Sequence, residues 1–212
     1  LKTPLTSLKA YIQLINRNKD LPEDINFYVK KANESVTKLQ NLISDLLDVS
    51  RIQAGKLKFN LEPVDIGKLV IACIENAGYI FSSHTIRTEV QSNLNVQGNA
   101  ERLEQVVMNL VTNAVKYSPE GTEIMICVEE KNGEAEISVA DSGIGLSESN
   151  IQRIFERFYR VENTKVPAAG LGMGLYISAE IIREHGGRIE VKSKLNDGSR
   201  FSFWLPLIGN MH

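Results

Sequence analysis

Between residues 25 and 46, apolar side chains return in alternating steps of four and three: Ile25, Val29, Ala32, Val36, Leu39, Ile43 and Leu46. Three heptads of that spacing keep one stripe of a helix apolar, the seam that a coiled coil or helical bundle buries. The same spacing opens the chain, with Leu1, Leu5, Leu8, Ile12 and Ile15. No glycine interrupts residues 1–54, and the polar run NRNKDLPED, with Pro22 near the start of the second helix, separates the two segments. Two antiparallel helices bury only one face against each other, and Leu42 and Leu47 widen the stripe beyond one partner. That excess predicts a homodimer forming a four-helix bundle. A hairpin packed onto its own second domain is the alternative that needs no dimer. Pro4 poses a separate question, because proline suits a helix's first turn but costs roughly 3 kcal/mol in its interior. Either the first helix begins at Pro4, or the chain runs through a longer helix kinked there.

Gly55 ends the second helix and the texture changes. KLKFNLEP reads as a strand, and DIGKLVIACIENAGYIF as a helix starting near Asp65. HTIRTEVQ and NLNVQG read as strands, followed by a long helix capped by Asn99. TEIMICVEE and EAEISVADS form a hairpin around KNGE, MGLYISAEIIREH is a helix, and GRIEVKSK and SRFSFWLPL close the chain as a hairpin around NDG. Three of the pairings are local. The expected fold class is α+β: a helical hairpin over residues 1–56, then residues 57–212 as a two-layer sandwich with helices on one face of a mostly antiparallel sheet.

Composition excludes several functions. A net charge of -2 gives no footprint for nucleic acid and no polybasic membrane patch. Cys73 and Cys127 lie outside any metal-ligand or redox spacing and read as buried thiols in a reducing compartment. No apolar run approaches the ~20 residues of a membrane span, which leaves room for a membrane segment upstream in a longer parent protein.

Three stretches carry chemistry. On the long helix, Asn109, Asn113, Lys116 and Tyr117 share one face at i, i+4, i+7 and i+8, distinct from the core face of Leu103, Val107, Leu110 and Ala114. The polar stripe is either a solvated surface or a ligand face. Asparagine is a poor helix former, an amide oxygen suits Mg²⁺, and lysine is a point charge suited to phosphate. In DSGIGL, Asp141 ends an apolar strand, and Gly143 and Gly145 let backbone approach a ligand closely. By itself it also reads as an ordinary Asp-Ser-Gly turn. In GLGMGL, residues 170–175, alternate glycines lead into a helix N-terminus, a geometry suited to an anion. The preceding polar stretch VENTKVPAA does not fit a dinucleotide-binding βαβ unit, and the GK[ST] ending of a P-loop is missing. Between the glycine motifs, FERFYR carries aromatics that either anchor a loop on the core or belong to a mobile lid whose arginine reaches a phosphate.

The order NLVTNAVKY, DSGIG, FERFY, GLGMGL resembles the N, G1, F and G2 boxes of sensor histidine kinases of the GHKL ATPase superfamily. LKTP at the start is similar to the tail of that family's His-Glu-x-x-x-Pro motif, which implies a phospho-accepting histidine two residues before Leu1 and makes Pro4 a kink in a longer helix. The resemblance implies ATP and Mg²⁺ as cofactors, a sandwich of the GHKL type, and a response regulator as partner. It assigns Asn113 to Mg²⁺, Asn109 to a second polar contact, Lys116 to phosphate and Tyr117 to packing on the nucleotide. It further assigns Asp141 to the adenine amino group, with Gly143 and Gly145 leaving room for the base, Gly170, Gly172 and Gly174 to the phosphates, and Arg160 to the γ-phosphate. Thr3 matches a threonine that orients water for dephosphorylating the regulator. QAGKLKF is the expected hinge between bundle and ATP domain. His84, His185 and His212 fit no acceptor position, so residues 1–212 alone are expected to bind ATP without phosphorylating themselves. Met173 stands where leucine is commoner, a near-isosteric swap. A cytoplasmic location is implied, with the parent protein anchored in an inner membrane. The alternatives are a non-catalytic ATP-binding scaffold, or another GHKL branch such as an ATP-driven clamp or a serine-directed kinase.

Overall fold

The structure, a computed structural model, describes residues 6, 8–12, 15, 22–55, 59–77, 83–161 and 171–209. Thr3, Pro4, Gly170, His212 and residues 56–58 of the expected hinge lie outside them. Residues 8–12 are helical, as read from the spacing. Helix α1 spans Glu23–Gln53, with extended Pro22 as its N-cap. It ends where Gly55 takes a positive φ of 62° and its N–H reaches the Ile52 carbonyl. The apolar seam divides. Val29 and Val36 are buried in a small cluster with Ile12 of the preceding helical segment, whereas Ile25, Leu39 and Leu46 stay exposed at 41–46 %.

Strand β1 (Glu62–Asp65) pairs antiparallel with β3 (Asn95–Gly98) in a two-stranded sheet. The remaining strands form a five-stranded sheet in the order β2 (Thr85–Val90), β4 (Glu123–Lys131), β5 (Glu134–Asp141), β7 (Gly198–Pro206) and β6 (Arg188–Lys194). All pairs in it are antiparallel except β2–β4. Both hairpins form as read, with Asn132 and Gly133 at positive φ in one turn and Asn196 and Gly198 in the other. Two details differ from the sequence reading. The strand read in KLKFNLEP begins only at Glu62; Phe59 instead packs its ring against His185, 5.4 Å between centroids. The successive strands β2 and β3 enter different sheets.

One face of the large sheet is apolar. Ile124, Ile126 and Val128 of β4 alternate inward beside Ala135, Ile137, Phe203 and Leu205, all buried. Helices α2 (Ile66–Ala77), α3 (Ala100–Tyr117) and α5 (Gly174–Glu184) supply the opposite layer, with Val70, Leu103, Val107, Leu110, Ile177 and Ile181 in one continuous core. α4 is a single turn, Glu148–Ile151. The outer sheet face is charged, with Lys131 bridging Glu129 and Glu136 at 2.6 and 2.8 Å. That one-sided alternation makes the unit two-layered. Cys73 is buried in this core, as expected, while Cys127 is partly exposed.

Candidate functional site: a cleft between two helices and the glycine turns

Asn99 caps α3 by accepting a hydrogen bond from the Arg102 N–H at 3.1 Å, which fixes where the helix starts and so which residues share each face. Leu103, Val107, Leu110 and Ala114 face the sheet. The polar stripe therefore emerges at one edge, where Asn109, Asn113, Lys116 and Tyr117 line a single cleft. Asp141, Gly145, Arg160, Gly172 and Gly174 line the same cleft. Four motifs spread over some sixty residues thus converge.

Asp141 ends β5, and burial pushes its carboxyl above the ordinary carboxylate value, against the opposing pull of the Gly143 and Ser199 backbone N–H groups. Its Oδ1 accepts the Gly143 N–H at 2.8 Å, which aims the side chain. Gly143 lies behind this wall, and a Cβ there would stand 2.5 Å from the Tyr117 carbonyl oxygen. Gly145 has a φ of 62°, and a Cβ would strike the Lys194 carbonyl. The cleft also has apolar lining, with Ile144, Leu146, Leu171 and Phe201.

The polar part of the lining carries two cations, Lys116 and Arg160. Lys116 donates to the Tyr117 hydroxyl at 3.0 Å and lies 4.7 Å from that ring's centroid. Arg160 enters from the loop after Tyr159, whose hydroxyl donates to Asn150 at 2.7 Å while Arg153 stacks on its ring at 4.2 Å. The aromatics of FERFYR divide between the two readings. Phe155 anchors the loop edge-on against Phe201, whereas Phe158 is exposed in the left-handed region at φ 62°. Gly172 is also left-handed, and a Cβ there would meet the Tyr159 carbonyl at 2.5 Å. Met173 is buried as the N-cap of α5, whose N-terminus faces the cleft.

Two features escape the sequence reading. Asn109 turns its amide nitrogen onto buried Ser178 of α5 at 2.9 Å. Gly174 makes room for it, since a Cβ would lie 2.5 Å from the Asn109 oxygen. These residues lock α3 to α5 as well as lining the cleft. The second feature is Asp45, a carboxylate of α1 that lines the cleft from outside the sandwich. No periodicity marks it.

The chemistry fits a magnesium nucleotide. A hydrogen-bond acceptor and apolar side chains share one cleft with hard amide oxygens, a lysine, an arginine and a helix N-terminus. His185 belongs elsewhere, buried between the end of α5 and the start of α3. Among the described residues no helix is long and apolar enough to cross a membrane.

Comparison with known proteins agrees. Residues 98–209 match the family described as histidine kinase-, DNA gyrase B-, and HSP90-like ATPase. Residues 1–55 match the His Kinase A (phospho-acceptor) domain. The chain is 30 % identical over 209 residues to the sensor-like histidine kinase SenX3 of Mycolicibacterium smegmatis, covering 97 % of this chain and 54 % of that protein. It is 32 % identical over 215 residues to the sensor histidine kinase WalK of Bacillus subtilis, covering 97 % and 35 %. It thus spans about half the length, or less, of these relatives. Full-length ShkA, solved in complex with AMPPNP, superposes with a TM-score of 0.76 at 28 % identity over 97 % of this chain and 43 % of that one.

Proposed function

This chain belongs to the sensor histidine kinase family, and from that premise we propose that it is the dimeric kinase core of a two-component sensor. Residues 1–56 are the dimerisation hairpin and residues 57–212 the ATP-binding domain. The phosphoryl group moves to a histidine of the bundle and then to an aspartate of a response regulator. The reading is supported above all by one observation, the convergence of the four motifs on one cleft.

Asp141, aimed by the Gly143 N–H, accepts a hydrogen bond from the adenine amino group, with Gly145 on the cleft wall nearby. Asn113 offers its amide oxygen to the metal, with Asn109 as the second polar contact of that face. Lys116 and Arg160 offset phosphate charge, Tyr117 packs on the nucleotide, and Gly170, Gly172 and Gly174 serve the phosphates through their backbone N–H groups. Bound Mg-ATP supplies the transferable phosphoryl group and its charge neutralisation. Thr3 orients water in the reverse, phosphatase reaction. The core works in the cytoplasm, tethered through the parent protein to the inner membrane.

Calorimetric titration with Mg-AMPPNP tests the site. Saturable binding is expected, and Asp141→Ala weakens it roughly ten- to hundredfold, the loss of one charge-assisted hydrogen bond. Absence of saturation, or an indifferent Asp141→Ala chain, defeats the assignment. With His-Glu added ahead of Leu1, Mg-ATP should give acid-labile phosphohistidine. Acid-stable label would instead point to serine phosphorylation.

A further inference from the structure

Helix α1 does more than carry the bundle seam. Asp48, 2 % exposed, takes a bidentate grip from Arg102 of α3, with Nη1 2.7 Å from Oδ2 and Nη2 3.2 Å from Oδ1. Gln105 donates to the same carboxylate at 3.4 Å, and the guanidinium lies over the Phe59 ring at 5.5 Å. One residue further on, Val49 is buried in the core of the sandwich. The C-terminal half of α1 is therefore clamped to the nucleotide-binding unit by a desolvated charge pair with apolar packing beside it.

Asp45 lies one turn before Asp48 on the same face of the helix. It lines the cleft together with Asn109, Asn113, Lys116, Gly172 and Gly174. Lys116 and Arg160 line the same cleft, yet no hydrogen bond or cation stands among the influences that act on the Asp45 acid. Burial, and after it the charge of Asp48, pushes its acid up to about 6. The clamped helix thus holds a poorly compensated negative charge in the cavity assigned to a polyphosphate, and like charges close together in a partly desolvated space repel.

Building on the nucleotide-site reading, we propose that Asp45 makes helix docking and nucleotide binding mutually antagonistic: the Asp48–Arg102 clamp holds its carboxylate in the cleft, and a bound magnesium nucleotide drives it out. Coupling of this kind is reciprocal, so loosening the clamp strengthens nucleotide binding as much as the nucleotide loosens the clamp. The affinity of the ATP domain is then set in part by a helix that belongs to the dimerisation hairpin.

The test is a set of Mg-AMPPNP titrations on the 212-residue chain. Asp45→Asn tightens binding about fivefold or more, the lower range of allosteric couplings, and Asp45→Glu, which keeps the charge, stays within about twofold of the wild type. Asp48→Asn, which weakens the grip on Arg102, also tightens binding, and in that background adding Asp45→Asn gains less than about twofold. Circular dichroism checks that each variant is folded; if Asp48→Asn is not, Arg102→Gln serves in its place, and the sign of the Asp45→Asn effect decides alone if both fail. Weaker binding by Asp45→Asn, which would make the carboxylate a magnesium ligand, overturns the proposal, as do no change and an equal gain in both backgrounds. Binding that Asp141→Ala abolishes but Asp45→Asn does not tighten overturns the coupling alone. No binding by any variant overturns the nucleotide reading as well.

Discussion

Asn109 shows how one side chain serves two demands. Its amide nitrogen satisfies the hydroxyl of Ser178, which is 2 % exposed, and its oxygen lies where Gly174 has no Cβ. Asn109→Ala strands that hydroxyl and costs about 1–3 kcal/mol in urea unfolding. Ser178→Ala placed on top recovers part of the loss, because removing both partners leaves nothing unsatisfied. Gly143→Ala acts differently: its Cβ would press on the Tyr117 carbonyl, which is backbone and cannot rotate away. It therefore displaces the turn that aims Asp141, and calorimetry should find Mg-AMPPNP affinity reduced at least tenfold, about 1.4 kcal/mol. The asparagine stripe was legible because its spacing needs only the period of a helix. The Ser178 partner was not, since it lies on another element 69 positions away.

His185 ties the end of α5 to the start of α3. The Asn99 N–H donates to its Nε2 at 3.0 Å, so Nδ1 carries the proton and donates to the Ile181 carbonyl at 2.7 Å. Burial holds the imidazole below its ordinary value of 6.5. The unfolded chain therefore takes up the proton first, and this contribution to stability is complete above pH 6.5 and lost as pH falls through the lower folded value. Asp45 has the opposite sign. Its acid is raised from 3.8 to about 6, so its contribution is complete below pH 3.8 and lost as pH rises through about 6. In an Asp45→Asn background, which removes that opposing slope, unfolding free energy should fall as pH is lowered from 7.5 to 5. Adding His185→Gln should flatten the fall. Equal slopes with and without His185 would deny it the role. Caps and hairpin turns such as Asn99, Asn132–Gly133 and Asn196–Gly198 were legible because their chemistry is local. The parallel pairing of β2 with β4 was not, because β3 and all of α3 intervene and only the assembled core selects that partner.

The two halves of the chain meet through contacts of different legibility. The Asp48–Arg102 clamp joins charges 54 positions apart and leaves no periodic trace, while the heptad seam announced itself in the first helices. Yet one chain covers only part of that seam. Val29 and Val36 are buried, whereas Ile25, Ala32, Leu39 and Leu46, exactly seven apart, remain exposed. Leu8, Tyr11 and Ile15 extend the exposed apolar surface on the preceding helical segment. Water against such a stripe is costly, at roughly 25 cal/mol per Å² of apolar surface, and a second copy offers the same stripe in return. Leu39→Glu should therefore convert a dimer into a monomer in sedimentation equilibrium with little change in helical circular dichroism, because Leu39 already faces solvent within one chain. Val36→Glu should instead disrupt the hairpin itself, since its side chain is 7 % exposed and packs in the cluster with Ile12 and Val29. A wild-type chain that sediments as a monomer, or a Leu39→Glu chain that remains dimeric, would mean that the exposed stripe is not what joins two copies.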